Sequence, residues 1–164
     1  MQYILETAKK ILDEFGGRNV FETAENSGVK VWPRALGGLK GFYIFENNCR
    51  YIVINDELDE VTQSVVCAHE LGHDTLHRGL SGGGIRESTL FLANNKTERE
   101  ANLFAAEILI SDDDYLSALS YCESVGALSA QLGYPSELVG YKTEAMNMKG
   151  HKLRLGDVRN DFLK

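Results

Sequence analysis

The sequence predicts an α+β fold, and three features support that prediction. Apolar residues recur at helical spacing from Ile4 to Phe15, after which a pair of glycines interrupts them. Two short runs rich in aromatic and β-branched residues, 41–45 and 50–55, predict an antiparallel hairpin. Most of the chain after residue 60 has helical patterns. N-terminal helices, a small and mostly antiparallel sheet and a helical second half are typical of the α+β class.

The elements between the first helix and the hairpin have local signals of their own. A short second helix is predicted over 19–27, because Asn19 is a favourable N-cap residue. Residues 29–32 predict a strand that Pro33 closes, since proline cannot donate a hydrogen bond within a sheet. Polar residues at 46–48 predict the turn of the hairpin.

A long helix is predicted over roughly 60–77, and it begins at Asp59 or Glu60. Glycines at 79 and 82–84 end this helix and predict a flexible loop. Because the loop adjoins the histidines described below, we interpret it as a candidate lid over a substrate.

The rest of the chain predicts further helices. One opens at Thr97, and Ser111 caps another that is predicted to run past Cys122 with acidic residues in its first turn. Residues 128–132 and 136–146 predict two helices joined by a turn, an arrangement like a helix-turn-helix motif.

Composition limits the class of protein. A length of 164 residues suits one domain, and 43% hydrophobic residues suffice for a core. The net charge of −7 argues against direct nucleic-acid binding, and residues 128–148 offer only Lys142 to a phosphate. Three widely spaced cysteines predict neither a disulfide framework nor a zinc ribbon. No signal peptide or membrane span is evident, so we expect a soluble, cytoplasmic protein without membrane partners.

The most informative stretch is His69-Glu70-x-x-His73 within the long helix. Histidines four residues apart project from one helical face, where both imidazoles can bind a single Zn²⁺. The metal lowers the pKa of a bound water, and the glutamate between the histidines removes its proton. The pattern therefore predicts a zinc hydrolase with His69 and His73 as ligands and Glu70 as general base.

The context of the motif supports a metal site rather than two exposed histidines. Val65, Val66 and Leu71 make the helix apolar, so its histidines and glutamate are expected to be buried and to have partners. Gly72 costs about 1 kcal/mol of helix propensity relative to alanine, which predicts a packing reason for its presence. Cys67 is interpreted as a small core residue.

Zinc in a catalytic site needs a third protein ligand. Glu98 shares a helical face with small residues and with Asn102, which is placed to orient a ligand, so Glu98 is the preferred candidate. Glu100 is the alternative, although Thr97-x-x-Glu100 also matches a capping box. His77 is expected to face the substrate or to form a hydrogen bond beside the metal rather than to bind it, and Asp74 is interpreted as a solvated charge.

These residues resemble a known family. The segment from His69 to His77 and the Glu-Arg-Glu-Ala-Asn run that starts at Glu98 are similar to the ImmA/IrrE metallopeptidases. The resemblance runs from the hairpin near 42 to the helical tail near 142, and it implies a zincin-like core of a helix, a small sheet and two metal-binding helices. It also implies His69, His73 and Glu98 as ligands and Glu70 as the base. We expect this core over 1–123 and a helical appendage over 124–164 that packs on it.

The resemblance further implies that the substrate is a protein, a helix-turn-helix transcriptional repressor of a mobile element or prophage. The predicted function is therefore a site-specific zinc endopeptidase. Two alternatives stay open: a non-catalytic zinc protein that sequesters such a repressor, and a zinc hydrolase of a small amide. The residue that stabilises the oxyanion is left open among His77, Tyr115 and Tyr141.

Overall fold

The computed structural model describes residues 1–17, 19–78, 96–122 and 124–153, together with the backbone of 86–87. The predicted glycine-rich lid at 79–84 lies outside the described residues. Eleven elements occur in the described ranges: α1 (Gln2–Phe15), α2 (Val20–Asn26), β1 (Lys30–Arg34), β2 (Gly41–Glu46), β3 (Cys49–Asn55), α3 (Glu60–His77), β4 (Arg86–Glu87), α4 (Lys96–Leu109), α5 (Asp112–Leu119), α6 (Val125–Leu132) and α7 (Ser136–Met148). The predicted α+β class is confirmed.

The first two helices form as their capping residues predict. Asn19 is the N-cap of α2, and its side-chain oxygen accepts a hydrogen bond of 3.0 Å from the Glu22 amide. α1 ends at Phe15, immediately before the glycine pair. Ile4, Leu5 and Ala8 are the buried face of α1.

The four strands form one sheet in the order β1-β3-β2-β4, with one parallel and two antiparallel pairs. The predicted hairpin is confirmed, and Asn47 and Asn48 take positive φ angles of 50° and 63° in its turn. This conformation suits a tight two-residue hairpin turn. The expected end of the first strand is wrong, because Pro33 lies inside β1. Proline is accepted there because β1 is an edge strand.

α3 packs on one face of this sheet and on α4. Asp59 caps it, and its side chain accepts a hydrogen bond of 3.0 Å from the Thr62 amide. The close approach of the sheet depends on Gly41, where a Cβ atom would lie 2.4 Å from Val66 Cγ1. The central residues of α3 are therefore buried between the sheet and α4.

Of the C-terminal helices, α7 packs on α4, and α6 packs on both α5 and α7. α5 begins at the predicted cap Ser111 but ends at Leu119, so the expectation that it runs past Cys122 is wrong. α6 and α7 have the helix-turn-helix arrangement, with Gly133 in the left-handed conformation at the turn (φ 72°). α7 packs on α4 and contributes four residues to the hydrophobic core: Leu138, Val139, Ala145 and Met146. The division at residues 123 and 124 stays a prediction.

A buried lysine joins α7 to α4 and α5. Lys142 is only 1% exposed, and its Nζ lies 2.7 Å from Glu107 Oε1 and 2.6 Å from Asp112 Oδ1. The sole Lys or Arg of the helix-turn-helix-like segment is thus enclosed by carboxylates and cannot reach a DNA phosphate. Among the described helices, none is long and apolar enough to cross a membrane.

Candidate metal centre

α3 and α4 bring the three predicted metal ligands together. His69 Nε2 and His73 Nε2 are 3.1 Å apart, as expected for residues one helical turn apart. Glu98, in the first turn of α4, places Oε2 3.2 Å from His69 Nε2 and Oε1 3.3 Å from His73 Nε2. The two histidines are buried, and the Glu98 side chain is 14% exposed.

These separations are those that a tetrahedral metal ion requires. Ligand atoms about 2.0–2.1 Å from zinc in a tetrahedral arrangement lie about 3.3 Å from one another. The contacts between His69, His73 and Glu98 range from 3.1 to 3.3 Å, with one Glu98 oxygen toward each histidine, and one ligand atom from each residue lies within 4.8 Å of the other two. The residues therefore fit a bound zinc ion.

The hydrogen bonds around the site also fit a cation. Asn102 Oδ1 lies 2.8 Å from His69 Nδ1, the position expected of a residue that orients this candidate ligand. An amide oxygen only accepts, so His69 carries its proton on Nδ1 and its Nε2 lone pair faces His73 and Glu98. Glu98 Oε2 is buried without a hydrogen-bond partner. A cation at the centre would satisfy these facing acceptors.

The protonation states of two of these groups suit metal binding. Burial lowers the pKa of His73, and the neighbouring imidazoles of His69 and His77 lower it further, against the carboxylate of Glu98, which raises it. The neutral imidazole is the form that binds metals. Burial raises the pKa of Glu98, but hydrogen bonds and charge interactions with His69 and His73 in their protonated forms outweigh burial and hold that pKa at about 2. Glu98 is therefore an anion at neutral pH.

Glu70 lies on α3 between the two histidines, and its side chain is 1% exposed. At 100° per residue, it projects about 60° from the direction of His73 on the helix, which places it beside the candidate ligands. A carboxylate in a water-poor site is suited to accept a proton.

His77 and Glu100 contact each other behind the ligands, with His77 Nε2 2.9 Å from Glu100 Oε2. His77 thus forms hydrogen bonds beside the metal site, which is one of the two roles expected for it. The capping-box interpretation of Glu100 is wrong, because α4 already begins at Lys96 and Thr97 lies within its first turn. Burial raises the pKa of Glu100, but interactions with His77, Tyr3 and Lys96 outweigh burial and lower that pKa.

The structure also shows the surroundings of Asp74 and Cys67, two other residues of α3. Asp74 is not a solvated charge, because it is 1% exposed and pairs with Arg50 at 2.9 Å and Arg78 at 2.8 Å. Arg50 also donates to the Ser27 carbonyl, so this cluster ties α2 and β3 to the helix that carries the histidines. Cys67 is a buried core residue, as expected, and burial raises the pKa of its thiol.

The three candidates for oxyanion stabilisation differ in position. His77 is engaged with Glu100. Tyr115 is completely buried, and its hydroxyl lies 2.7 Å from Thr143 Oγ1. Tyr141 is partly exposed, and its hydroxyl oxygen lies 3.5 Å from Asn102 Nδ2, beside the site. Burial raises the pKa of Tyr141, so its hydroxyl is protonated at neutral pH.

Comparison with known proteins supports the assignment to a family. A family model described as the IrrE N-terminal-like domain, from a peptidase family, matches residues 24–144. The chain belongs to the ImmA/IrrE family of metallopeptidases. A relative in Bacillus phage phi105, named uncharacterized immunity region protein 2, is 32% identical over 85% of this chain and 88% of its own length. Metallopeptidase ImmA of Bacillus subtilis (strain 168) is 29% identical over 85% of this chain and 83% of its own.

Three contacts near the site have no signal, or only a partial one, in the sequence. The pairing of Asp74 with Arg50 and Arg78 depends on the sheet, and no local pattern indicates it. The contact of His77 with Glu100 had a partial signal, because a third histidine follows at the same four-residue spacing as the first two. A third histidine on that face needs a partner when it is buried.

Proposed function

We propose that this metallopeptidase is a zinc-dependent endopeptidase in which His69, His73 and Glu98 hold the metal and Glu70 is the general base. The observation that carries the proposal is the meeting of His69, His73 and Glu98 from α3 and α4, whose ligand atoms, one from each residue, all lie within 4.8 Å of one another. Three protein ligands leave one position of a tetrahedral ion for water, which is the arrangement of a catalytic rather than a structural zinc site.

The chemistry follows from the residues around that position. Zinc, when bound, supplies a Lewis acid that makes a water molecule nucleophilic at neutral pH. Glu70 takes a proton from the attacking water and returns it to the nitrogen of the departing amine. The burial of Glu70 keeps competing solvent away from this transfer. Asn102 holds the ring of His69 in place throughout.

Tyr141 is the candidate that best suits oxyanion stabilisation. Its hydroxyl is beside the site, protonated and partly exposed, so it is able to donate to a substrate carbonyl oxygen. The other two candidates already have buried partners. Because Tyr141 lies on α7, the C-terminal helices would then contribute to catalysis.

The proposed substrate is a helix-turn-helix transcriptional repressor of a prophage or mobile element. The name of the phage relative, an immunity region protein, supports a role in phage immunity. A DNA-binding repressor has a basic surface, and this chain has a net charge of −7, so the two attract each other. Asp113, Asp114 and Glu137 are exposed on the C-terminal helices and are suited to this contact. Binding should weaken as salt increases.

The test uses the repressor encoded in the same genetic element. Zinc-loaded wild-type protein and the Glu70→Gln variant are each incubated with it, and fragments are identified by mass spectrometry. Glutamine keeps the shape of the side chain but cannot accept the proton, so we expect one defined cleavage with wild type and none with the variant. Zinc content and thermal stability should be the same in both.

Two results would contradict the proposal. Equal cleavage by Glu70→Gln would mean that Glu70 is not the base. Tight binding without cleavage by either protein would favour the alternative, a zinc-containing regulator that sequesters the repressor.

A further inference from the structure

Behind the candidate ligands, a second set of buried residues forms a continuous chain of hydrogen bonds. His73 Nδ1 lies 3.1 Å from His77 Nδ1, and His77 Nε2 lies 2.9 Å from Glu100 Oε2. The side chains of His73, His77 and Glu100 are 1%, 3% and 7% exposed. The chain therefore runs from a metal ligand on α3 to a carboxylate on α4 through one histidine that is not itself a ligand.

The chemistry of these atoms fixes the position of each proton. A carboxylate only accepts hydrogen bonds, so Glu100 requires the proton of His77 on Nε2. The Nδ1 of a neutral His77 is then an acceptor, and it requires a proton on His73 Nδ1. The Nε2 of His73 is left without a proton, and this is the atom that faces His69 Nε2 at 3.1 Å.

We propose that His77 and Glu100 are positioning residues, which hold His73 as the Nδ1–H tautomer with its Nε2 lone pair directed at the metal site. Asn102 holds His69 in its Nδ1–H tautomer in the same way, through one hydrogen bond. The inference rests on the proposed function only for the identity of the metal site, and its first measurement requires neither metal nor substrate. At the outer end of this series of hydrogen bonds, Lys96 Nζ lies 3.8 Å from Glu100 Oε1.

The first measurement is made on metal-free wild-type protein at a pH where the histidines are neutral. Two-bond ¹H–¹⁵N correlations distinguish protonated from unprotonated ring nitrogens. We expect protons on Nδ1 of His69 and His73 and on Nε2 of His77. A proton on Nε2 of His73 would overturn the proposal, and no variant is needed for that result.

Substitutions of Glu100 then test the direction in which these hydrogen bonds are donated. Glu100→Leu removes the acceptor that keeps the His77 proton on Nε2, so that proton can move to Nδ1 and be donated to His73, which then carries its own proton on Nε2. We expect this change of both tautomers in the metal-free variant, together with zinc affinity about 10- to 100-fold lower by competition with a chelator. Glu100→Gln, which keeps the size and an acceptor oxygen, should stay within a few-fold of wild type.

His77→Phe and His77→Gln give an independent comparison. Phenylalanine leaves the Nδ1–H of His73 without an acceptor, so zinc affinity should again fall about 10- to 100-fold. Glutamine offers an amide oxygen in that position and should restore most of the affinity. The matched control is His151→Phe, the same substitution at the exposed histidine of the C-terminal segment, which should leave zinc affinity unchanged.

The outcomes separate this inference from the proposed endopeptidase. Expected tautomers and lower zinc affinity in the variants, with no proteolysis by wild type, would support the positioning role and contradict only the proposed reaction. Unchanged tautomers and unchanged zinc affinity in both Glu100→Leu and His77→Phe would overturn the positioning role, even if repressor cleavage is confirmed.

Discussion

Gly72 on α3 faces Ala101 on α4 so closely that a side chain at position 72 would crowd the backbone of α4. A Cβ atom at position 72 would lie 3.1 Å from Ala101 Cα, 3.2 Å from its carbonyl oxygen and 3.2 Å from Phe104 Cδ1. The packing reason expected for this glycine is thus confirmed. Ala101 is one turn after Glu98, so this close approach lets the carboxylate of Glu98 reach both histidines.

Gly72→Ala should therefore weaken the metal site. Alanine gains up to about 1 kcal/mol of helix propensity, but most of the contacted atoms belong to backbone that moves only if the helices separate. Overpacking of this kind costs about 1–3 kcal/mol. We expect a net loss of about 1 kcal/mol in the free energy of unfolding of the metal-free protein, measured in urea, and lower zinc affinity.

Gly140→Ala is the matched control for that variant. Gly140 is also inside a helix, α7, but a Cβ atom there would meet nothing within 4 Å. We expect stability to increase by up to about 1 kcal/mol, with zinc affinity unchanged. If both alanine variants are stabilised and bind zinc normally, the close approach of α3 and α4 is not needed for the metal site.

Zinc content tests the ligand set directly. Purified protein should contain about one zinc per chain, and His69→Ala should contain much less, because two ligands hold zinc far more weakly than three. Elemental analysis after dialysis against metal-free buffer measures the zinc content of wild type and of His69→Ala. Full occupancy in His69→Ala would place the metal elsewhere.

A pair of matched substitutions tests whether Glu98 or Glu100 is the third ligand. Glu98→Gln removes the charge of a proposed ligand, so zinc affinity should fall sharply. Glu100→Gln keeps an acceptor for His77 and should change that affinity only a few-fold. The opposite order would make Glu100 the third ligand.

Features with local signals could be predicted from the sequence. The caps Asn19 and Asp59, the hairpin turn and the spacing of His69 and His73 each depend on residues a few positions apart. The choice of Glu98 as the preferred ligand used only the faces of a predicted helix. The structure brings its carboxylate within 3.3 Å of both histidines.

Contacts between distant segments could not be predicted in this way. Lys142 and Glu107 are 35 residues apart, and Arg50 and Asp74 are 24 apart. Each pair forms because packing of apolar faces first brings two elements together, after which a buried charge requires an opposite one. The position of Pro33 inside β1 also depends on distant segments, since only the strand order shows that β1 is at an edge.

Tyr141→Phe tests the proposed source of oxyanion stabilisation. Loss of one oxyanion donor should lower kcat about 100-fold or more, with little change in KM or zinc content. Tyr115→Phe is the control, because its hydroxyl contacts Thr143 away from the ligands. That variant should lose about 1 kcal/mol of stability while it keeps its kcat. Equal kcat values for Tyr141→Phe and wild type would exclude Tyr141 from catalysis.

The ion pairs of the Asp112 carboxylate make the stability of the folded protein depend on pH. Its Oδ1 lies 2.6 Å from Lys142 Nζ and 2.7 Å from Lys149 Nζ. Burial raises the pKa of Asp112, but these two ammonium groups outweigh burial and lower it below its usual value of about 3.9. Because the folded-state pKa is lowered, the stabilisation is complete above the unfolded-state pKa and is lost as pH falls through the folded-state pKa.

The Tm of metal-free wild type should therefore exceed that of Asp112→Asn by a constant amount from about pH 8 to pH 5. The difference should shrink once the pH falls below about 4, where the wild-type carboxyl is increasingly protonated. Asp113→Asn, an exposed neighbour in the same first turn of α5, controls for the charge at the helix N-terminus and should change Tm much less. A Tm difference for Asp112→Asn that is equally large at pH 3 would mean that the ion pair with Lys142 and Lys149 is not its source.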